Sequence, residues 1–262
     1  MTTGEEKITQ RLSSGLTIRQ HFGDSVRFLM FETDVPGWEY ATHGGTAFVV
    51  NYRGKFFGIM CKHCLGDFTW RQLALTDQRF GRDLAGLKAI YYPSNPSGAA
   101  VDSDILDIAV VRFSDDVGAD FFKDRAYIVD LETVTTSNLG DQLRVNGALK
   151  DESRIGDDTI TPIFALLDFR DIGATSSDVA IREAEAMFKD VEFQRLTGLS
   201  GSPVFNLTQR KLCGVMVRGT LVGGHARMRY IDFADVMELL KAIDNGTLQA
   251  NYNRTIARLE QP

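Results

Sequence analysis

Gly198-Leu199-Ser200-Gly201-Ser202-Pro203 sets a serine between glycines. Glycine lets the backbone turn tightly enough for successive N–H groups to point at one spot, where a substrate oxygen gaining negative charge would sit. The spacing offers the N–H groups of Gly198 and Ser200 as those two donors, an oxyanion hole. The plainer alternative for this hexapeptide is a Gly/Ser turn leading into a strand. A serine hydroxyl is a weak nucleophile near neutrality, so the chemistry also needs a histidine in hydrogen-bond reach and a carboxylate to hold its tautomer. Four histidines are available, His21, His43, His63 and His225. His63 follows an apolar run directly, in Met60-Cys61-Lys62-His63-Cys64-Leu65, where the end of a strand can face a cleft. Asp107 opens Asp107-Ile108-Ala109-Val110-Val111-Arg112-Phe113, whereas its neighbours Asp102 and Asp104 precede no apolar strand.

The elements that must position these groups are short and β-rich. Apolar runs at 26–31, 46–51, 55–60, 87–92, 108–113, 126–129, 142–147, 163–169, 203–206, 212–217 and 227–231 are each bounded by turn residues, the pattern of antiparallel strands. Tyr52-Arg53-Gly54 separates the second and third runs, which predicts a hairpin. Two helices are predicted: 179–189, capped by Ser177 or Asp178, and 233–243, capped by Asp232, where Phe233, Val236, Leu240 and Ile243 recur at helical spacing. The Pro-, Ser- and Gly-rich stretch 93–104 reads as a surface loop, and 115–123 as a charged connection.

Composition narrows the classes of function. The 262 residues are 44% hydrophobic and 24% charged, with Gly outnumbering Pro 24 to 6, which provides for a sizeable core and excludes disorder, collagen and coiled coil. A net charge of −6 gives no broad positive field for a phosphate backbone, so no nucleic acid partner is expected. Every apolar run is far shorter than the roughly 20 residues that cross a bilayer as a helix, so no membrane partner is expected either. Residues 1–10 are polar, without a basic stretch followed by an apolar core. A cytoplasmic location with reduced thiols is therefore expected, and the three cysteines, Cys61, Cys64 and Cys213, cannot all pair. Cys61-x-x-Cys64 suits a dithiol or half a zinc site, but Cys213 and His225 lack the second paired spacing, so no metal is expected.

Together the three chemical fragments resemble the trypsin/chymotrypsin-like serine peptidases, in order as well as in letters. Gly45-Thr46-Ala47-Phe48-Val49-Val50, the hairpin, and Cys61-Lys62-His63-Cys64 are similar to the strand pair leading to that family's Ala-Ala-His-Cys. Asp107-Ile108-Ala109-Val110 is similar to its Asp-Ile-Ala-Leu, and residues 198–203 to its Gly-Asp-Ser-Gly-Gly-Pro. Leu212-Cys213-Gly214-Val215-Met216-Val217-Arg218-Gly219 resembles the strand that lines its specificity pocket. The resemblance spans about residues 26–240.

The resemblance implies an all-β fold of two six-stranded antiparallel β-barrels with a C-terminal helix. It divides the chain into an N-terminal extension (1–25), a first barrel with the histidine and aspartate (26–120), a second barrel with the serine and the helix (121–246) and a polar tail (247–262). It implies a serine endopeptidase in which Ser200 attacks, His63 moves the proton and Asp107 orients His63, without metal or organic cofactor. The partner is a protein or peptide substrate, with room for a regulatory protein partner. Gln194, Val217, Arg218, Gly219 and His225 are the substrate-binding candidates. Gln194 falls near the pocket floor, where trypsin-type enzymes carry an acid, so Lys and Arg are expected to be poor P1 residues and Arg218 or His225 to favour acidic or polar ones.

Departures from the family pattern carry their own expectations. Leu199 replaces the acidic residue that pairs with a newly cut N-terminus, so that activation switch is expected to be absent. Cys64 sits where the family often has half a disulfide, with Gly44 or a neighbour near the usual partner. The rival reading is a peptidase-fold binding or scaffold module that has lost turnover.

Overall fold

Tyr52 pairs with Lys55 across a two-residue turn in which Arg53 and Gly54 both have positive φ, 52° and 78°. Such a turn matches the right-handed twist of the strands it joins and so pins their register. In the computed structural model this hairpin is the centre of the first half of the chain. The structure describes residues 9–11, 17–19, 22–36, 38–42, 44–76, 84–93, 102–114, 119–122, 125–155, 160–175, 178–188 and 196–253.

Seven strands make the first sheet: β1 (Val26–Phe28), β2 (Thr46–Tyr52), β3 (Lys55–Cys61), β4 (Leu87–Tyr91), β5 (Ile108–Phe113), β6 (Tyr127–Ile128) and a late strand, Tyr252–Asn253. The order is β6-β2-β3-β5-β4 and then Tyr252–Asn253, with β1 also on β2. Six strands make a closed barrel in the second half: β7 (Gln142–Ala148), β8 (Phe164–Thr175), β9 (Asp178–Ala186), β10 (Pro203–Asn206), β11 (Lys211–Val222) and β12 (His225–Asp232), in the order β7-β8-β9-β12-β11-β10.

The first half carries the pairings of the expected six-stranded barrel. Beyond the order β1-β2-β3-β5-β4, Met30 and Phe31, which continue the chain past β1, pair with Ala74 and Leu73, and Thr76 pairs with Leu84, which leads into β4, with the Ala85 N–H donating to the Leu75 carbonyl at 2.7 Å. The parallel β6 is added beside the last residues of β2, and Tyr252–Asn253 beside β4.

Helix α1 (Phe233–Asp244) starts where the sequence predicts, with the Asp232 carboxylate accepting from the Ala234 N–H at 2.9 Å. Its buried Phe233, Val236, Leu240 and Ile243 join one core with the first sheet and with Leu212, Val215 and Val217 of β11. The barrel has its own core, which includes Leu143, Val145, Phe169, Met216 and Met228.

The helix predicted over 179–189 is corrected: residues 178–186 form β9. Ala and Glu favour a helix locally, but β9 is hydrogen-bonded on both sides, Ile181 opposite Ile231 and Ala186 opposite Phe169, and closure of the barrel outweighs propensity. Strands β8 and β11 also run beyond their apolar runs, to Thr175 and Val222.

A buried polar group ties the barrel together. Asp171 receives Arg182 Nε at 3.0 Å and Nη2 at 2.8 Å, and Ser137 Oγ at 2.6 Å, with the Tyr230 hydroxyl on the same carboxylate. Burial acts to raise the Asp171 pKa, yet these hydrogen bonds outweigh it and hold the carboxyl below its ordinary value. Asp171→Ala strands Arg182 as a buried, unpaired cation and is expected to cost about 3–5 kcal/mol. Urea unfolding measures it, and a loss below about 1 kcal/mol contradicts the role given to this carboxylate.

Candidate active site

The register of β3 against β5 brings the first two chemical groups together. Ile108 lies opposite Cys61, and the Lys62 N–H donates to the Asp107 carbonyl at 2.8 Å. The residue leaving β3 and the residue entering β5 are thus held side by side, and the 3-10 turn Lys62–Leu65 swings His63 over Asp107. One Asp107 oxygen accepts the His63 backbone N–H at 2.9 Å, and the other meets ring Nδ1 at 2.5 Å. This two-point grip fixes the imidazole and leaves Nε2 for other chemistry. Nε2 faces the Cys64 thiol, with Sγ at 3.7 Å.

These contacts set the charges. The Asp107 hydrogen bond, followed by that of Cys64, pushes the His63 pKa up to about 10 against the opposing effect of burial. The Cys64 thiol is lowered to about 6, first by the neighbouring Cys61 thiol and then by His63, while burial pushes the Cys61 thiol well up. Both shifts favour the charged pair, a protonated imidazole beside the Cys64 thiolate, in this resting arrangement.

Thr46, the first residue of β2, stitches the serine loop to the first sheet. Its N–H donates to the Ser200 carbonyl at 2.8 Å, its Oγ1 donates to the Gly198 carbonyl at 2.9 Å, and the same Oγ1 accepts the Ala148 N–H at 2.8 Å. On the barrel side, the Gly201 N–H donates to the Met216 carbonyl at 2.7 Å. Gly198 and Gly201 have φ of 96° and 86°, the left-handed region that glycine adopts without a Cβ penalty. Leu199 is fully buried in the barrel core, where an acid would be costly. Among the described residues, no backbone acceptor takes the N–H of Gly198 or Ser200. The Ser200 hydroxyl donates to the Val217 carbonyl at 3.1 Å, and no hydrogen bond joins it to His63 in this arrangement.

His63, Cys64, Asp107, Gly198, Ser200, Val217, Arg218 and Gly219 all border one cleft of about 740 Å³. Arg218 is anchored there rather than free: its Nη2 donates to Asp104 Oδ1 at 2.8 Å. Asp104 is buried and also takes Arg229, which reaches Asp102 at 2.5 Å, so both neighbours of Asp107 are held by arginines from the barrel. Leu196 packs over Gly219, where a Cβ would fall 2.8 Å from Leu196 Cβ. His225 sits at the turn between β11 and β12 against Glu185, at 3.4 Å, and is not on the cleft. Gln194 lies outside the described residues. Lys62 is exposed, with its ammonium 5.0 Å from the centre of the Tyr92 ring.

Sequence reasoning missed Thr46, Leu196 and the contact of Cys64 with Nε2, and found in Asp104 only a rival carboxylate. Cys64 had a signal in its spacing from Cys61, whereas Thr46 and Leu196 had none. All three cysteines are free and buried, and Gly45 occupies the space against Cys64 where a Cβ would come within 2.7 Å of Sγ. Cys61, His63 and Asp107 place donor atoms within 4.8 Å of one another. The Asp107 oxygens are already engaged by His63, and three donors fall short of the four a structural zinc needs, so the set is read as part of the histidine's setting.

No family model and no curated protein matches the sequence. Solved structures do match. Neuropsin, a serine protease expressed in the limbic system of mouse brain, is similar with a TM-score of 0.56 at 12% identity, over 86% of this chain and 96% of that one. The thermostable serine protease AL20 from an extremophilic microorganism is similar with a TM-score of 0.55 at 11% identity, over 82% and 94%. The scabies mite inactivated protease paralogue S-D1 is similar with a TM-score of 0.56 at 11% identity, over 87% and 94%. The fold is that of the trypsin/chymotrypsin-like serine proteases, and the similar structures include both active and inactivated members.

Proposed function

We propose that the chain is a serine endopeptidase acting on a protein or peptide substrate through Ser200, His63 and Asp107. The observation that carries this reading is the two-point hold of Asp107 on His63, in a cleft that Ser200 and Gly198 also border. Neutral His63 Nε2 takes the proton of Ser200 as Oγ attacks the scissile carbonyl, and returns it to the leaving amine. Asp107 keeps the imidazole in the tautomer with Nδ1 protonated and stabilises the imidazolium that forms. The N–H groups of Gly198 and Ser200 receive the oxyanion. Water then attacks the acyl-enzyme by the same proton path in reverse. To start, Ser200 Oγ has to leave the Val217 carbonyl for Nε2.

The second reading, a silent module of the same fold, is favoured by that Val217 hydrogen bond and by the engagement of Nε2 with Cys64. A fluorophosphonate probe separates the two. Covalent labelling is expected at Ser200 and is expected to vanish in Ser200→Ala. Absence of labelling in the folded wild-type protein across neutral and alkaline pH favours the silent module.

A further inference from the structure

We propose that Cys61 and Cys64 are a dithiol that a hydroperoxide converts to a disulfide, releasing His63 Nε2 from its thiol partner. Formation of the disulfide stands by itself; its effect on Ser200 rests on the hydrolase reading above.

The pair is built for this reaction. Cys61 ends β3 and immediately precedes the 3-10 turn of which Cys64 is the third residue. Residues three apart along a 3-10 turn lie above one another with a rise of about 6 Å, within the Cα separation of about 4.4–6.8 Å that a disulfide spans. Both thiols lie against His63: Cys64 Sγ is 3.7 Å from Nε2, and Cys61 Sγ lies within 4.8 Å of a His63 ring nitrogen. Cys64 borders the cleft, so a small peroxide reaches it from there, while Cys61 is fully buried behind it and donates to the Met216 carbonyl at 3.3 Å. Each sulfur then has its own part. Cys64, beside the imidazolium, is the thiolate that attacks, and Cys61, kept protonated by burial, is the thiol that resolves. Cys213 belongs to the barrel, where its thiol donates to the Val204 carbonyl at 3.3 Å, and Gly45 offers Cys64 no sulfur from the other side.

The chemistry balances. Cys64 sulfur attacks the terminal oxygen of the hydroperoxide, the O–O bond breaks, and the alkoxide or hydroxide leaves and takes a proton from solvent. Cys61 sulfur then attacks Cys64 sulfur, the S–O bond of the sulfenic acid breaks, and hydroxide leaves with the Cys61 proton as water. The thiols lose two electrons and the peroxide gains them.

The site changes in consequence. Groups facing His63 are Asp107, Cys64 and Cys61, with Lys62 turned over Tyr92 and Asp104 neutralised by Arg218 and Arg229 across the cleft. Oxidation removes the anionic thiol from this set. His63 then loses a proton at lower pH, and Nε2 is open to Ser200 Oγ.

Wild-type protein treated with hydrogen peroxide, then unfolded, alkylated and mapped by mass spectrometry, tests the disulfide. The peptide holding Cys61 and Cys64 should escape alkylation and be lighter by two hydrogens until dithiothreitol is added, while Cys213 is alkylated throughout. In Cys61→Ser, Cys64 should stop at the sulfenic acid and be trapped by a cyclic 1,3-diketone. Full alkylation of both thiols after peroxide, or conversion of wild-type Cys64 to the sulfinic acid instead, overturns the proposal. For the coupling, oxidised protein should react with the fluorophosphonate about tenfold faster or more near neutrality, because the neutral imidazole fraction grows tenfold for each unit its pKa falls. The pH profile should shift to lower pH, and dithiothreitol should restore the slow rate. An unchanged or slower rate overturns the coupling and leaves the disulfide standing. Failure of both forms to label overturns the hydrolase reading and the coupling with it, while the thiol map still decides the disulfide.

Discussion

Ser200→Ala is expected to lower kcat/KM for peptide hydrolysis by roughly 10⁴-fold or more, and His63→Ala by a similar factor, with little change in the urea midpoint of either. Both side chains border the cleft rather than the core: the described hydrogen bond of Ser200 Oγ is to the Val217 carbonyl, and His63 is about half exposed. Removing either group leaves the other without its function, since a serine without a base is not ionised and a base without a nucleophile has no proton to take. The double variant should therefore lose little more than either single one, the residual rate coming from binding and the N–H groups of Gly198 and Ser200. Multiplied losses in the double variant would show two groups acting independently. Undiminished hydrolysis in Ser200→Ala would end the assignment.

Gly201→Ala is expected to remove both the activity and about 3 kcal/mol or more of stability. A methyl group at residue 201 would fall 2.0 Å from the Thr46 carbonyl oxygen and 3.1 Å from the Cys61 nitrogen, both backbone atoms, and φ is 86°. The loop has no freedom to retreat, because Thr46 holds the Ser200 carbonyl from one side and Met216 holds the Gly201 N–H from the other. Relief requires separating the serine loop from the first sheet, which displaces Ser200 relative to His63. Gly223→Ala is the control: φ is also positive, 59°, but a Cβ there meets nothing within 4 Å, so about 1 kcal/mol and unchanged labelling are expected. Equal unfolding midpoints for the two variants would show that the close approach of Gly201 to Thr46 carries no weight.

Features that rest on short-range physics are readable from the order of residues alone. The Arg53-Gly54 turn, the apolar strands β2, β3 and β5, and α1 with its Asp232 cap each depend on residues a few positions apart, and all are legible from turn chemistry and periodicity. The Gly-Leu-Ser-Gly-Ser-Pro loop is legible for the same reason, since its glycines announce positive φ. Tertiary structure decided whatever rests on a partner far along the chain. Residues 178–186 carry helix formers, yet two neighbouring strands make them β9, and the polar ends of β8 and β11 are strands only because the barrel pairs them. The ring of the first half is completed by Met30 and Phe31 against Ala74 and Leu73 and by Thr76 against Leu84, pairings between segments that no local pattern encodes. At the cleft, residue types announced a histidine, an aspartate and a serine. Only the folded arrangement turned Ser200 to Val217, gave His63 Nε2 to Cys64 and tied Arg218 to Asp104, because hydrogen-bond partners are chosen by ångström-scale distances between segments that the chain order does not specify.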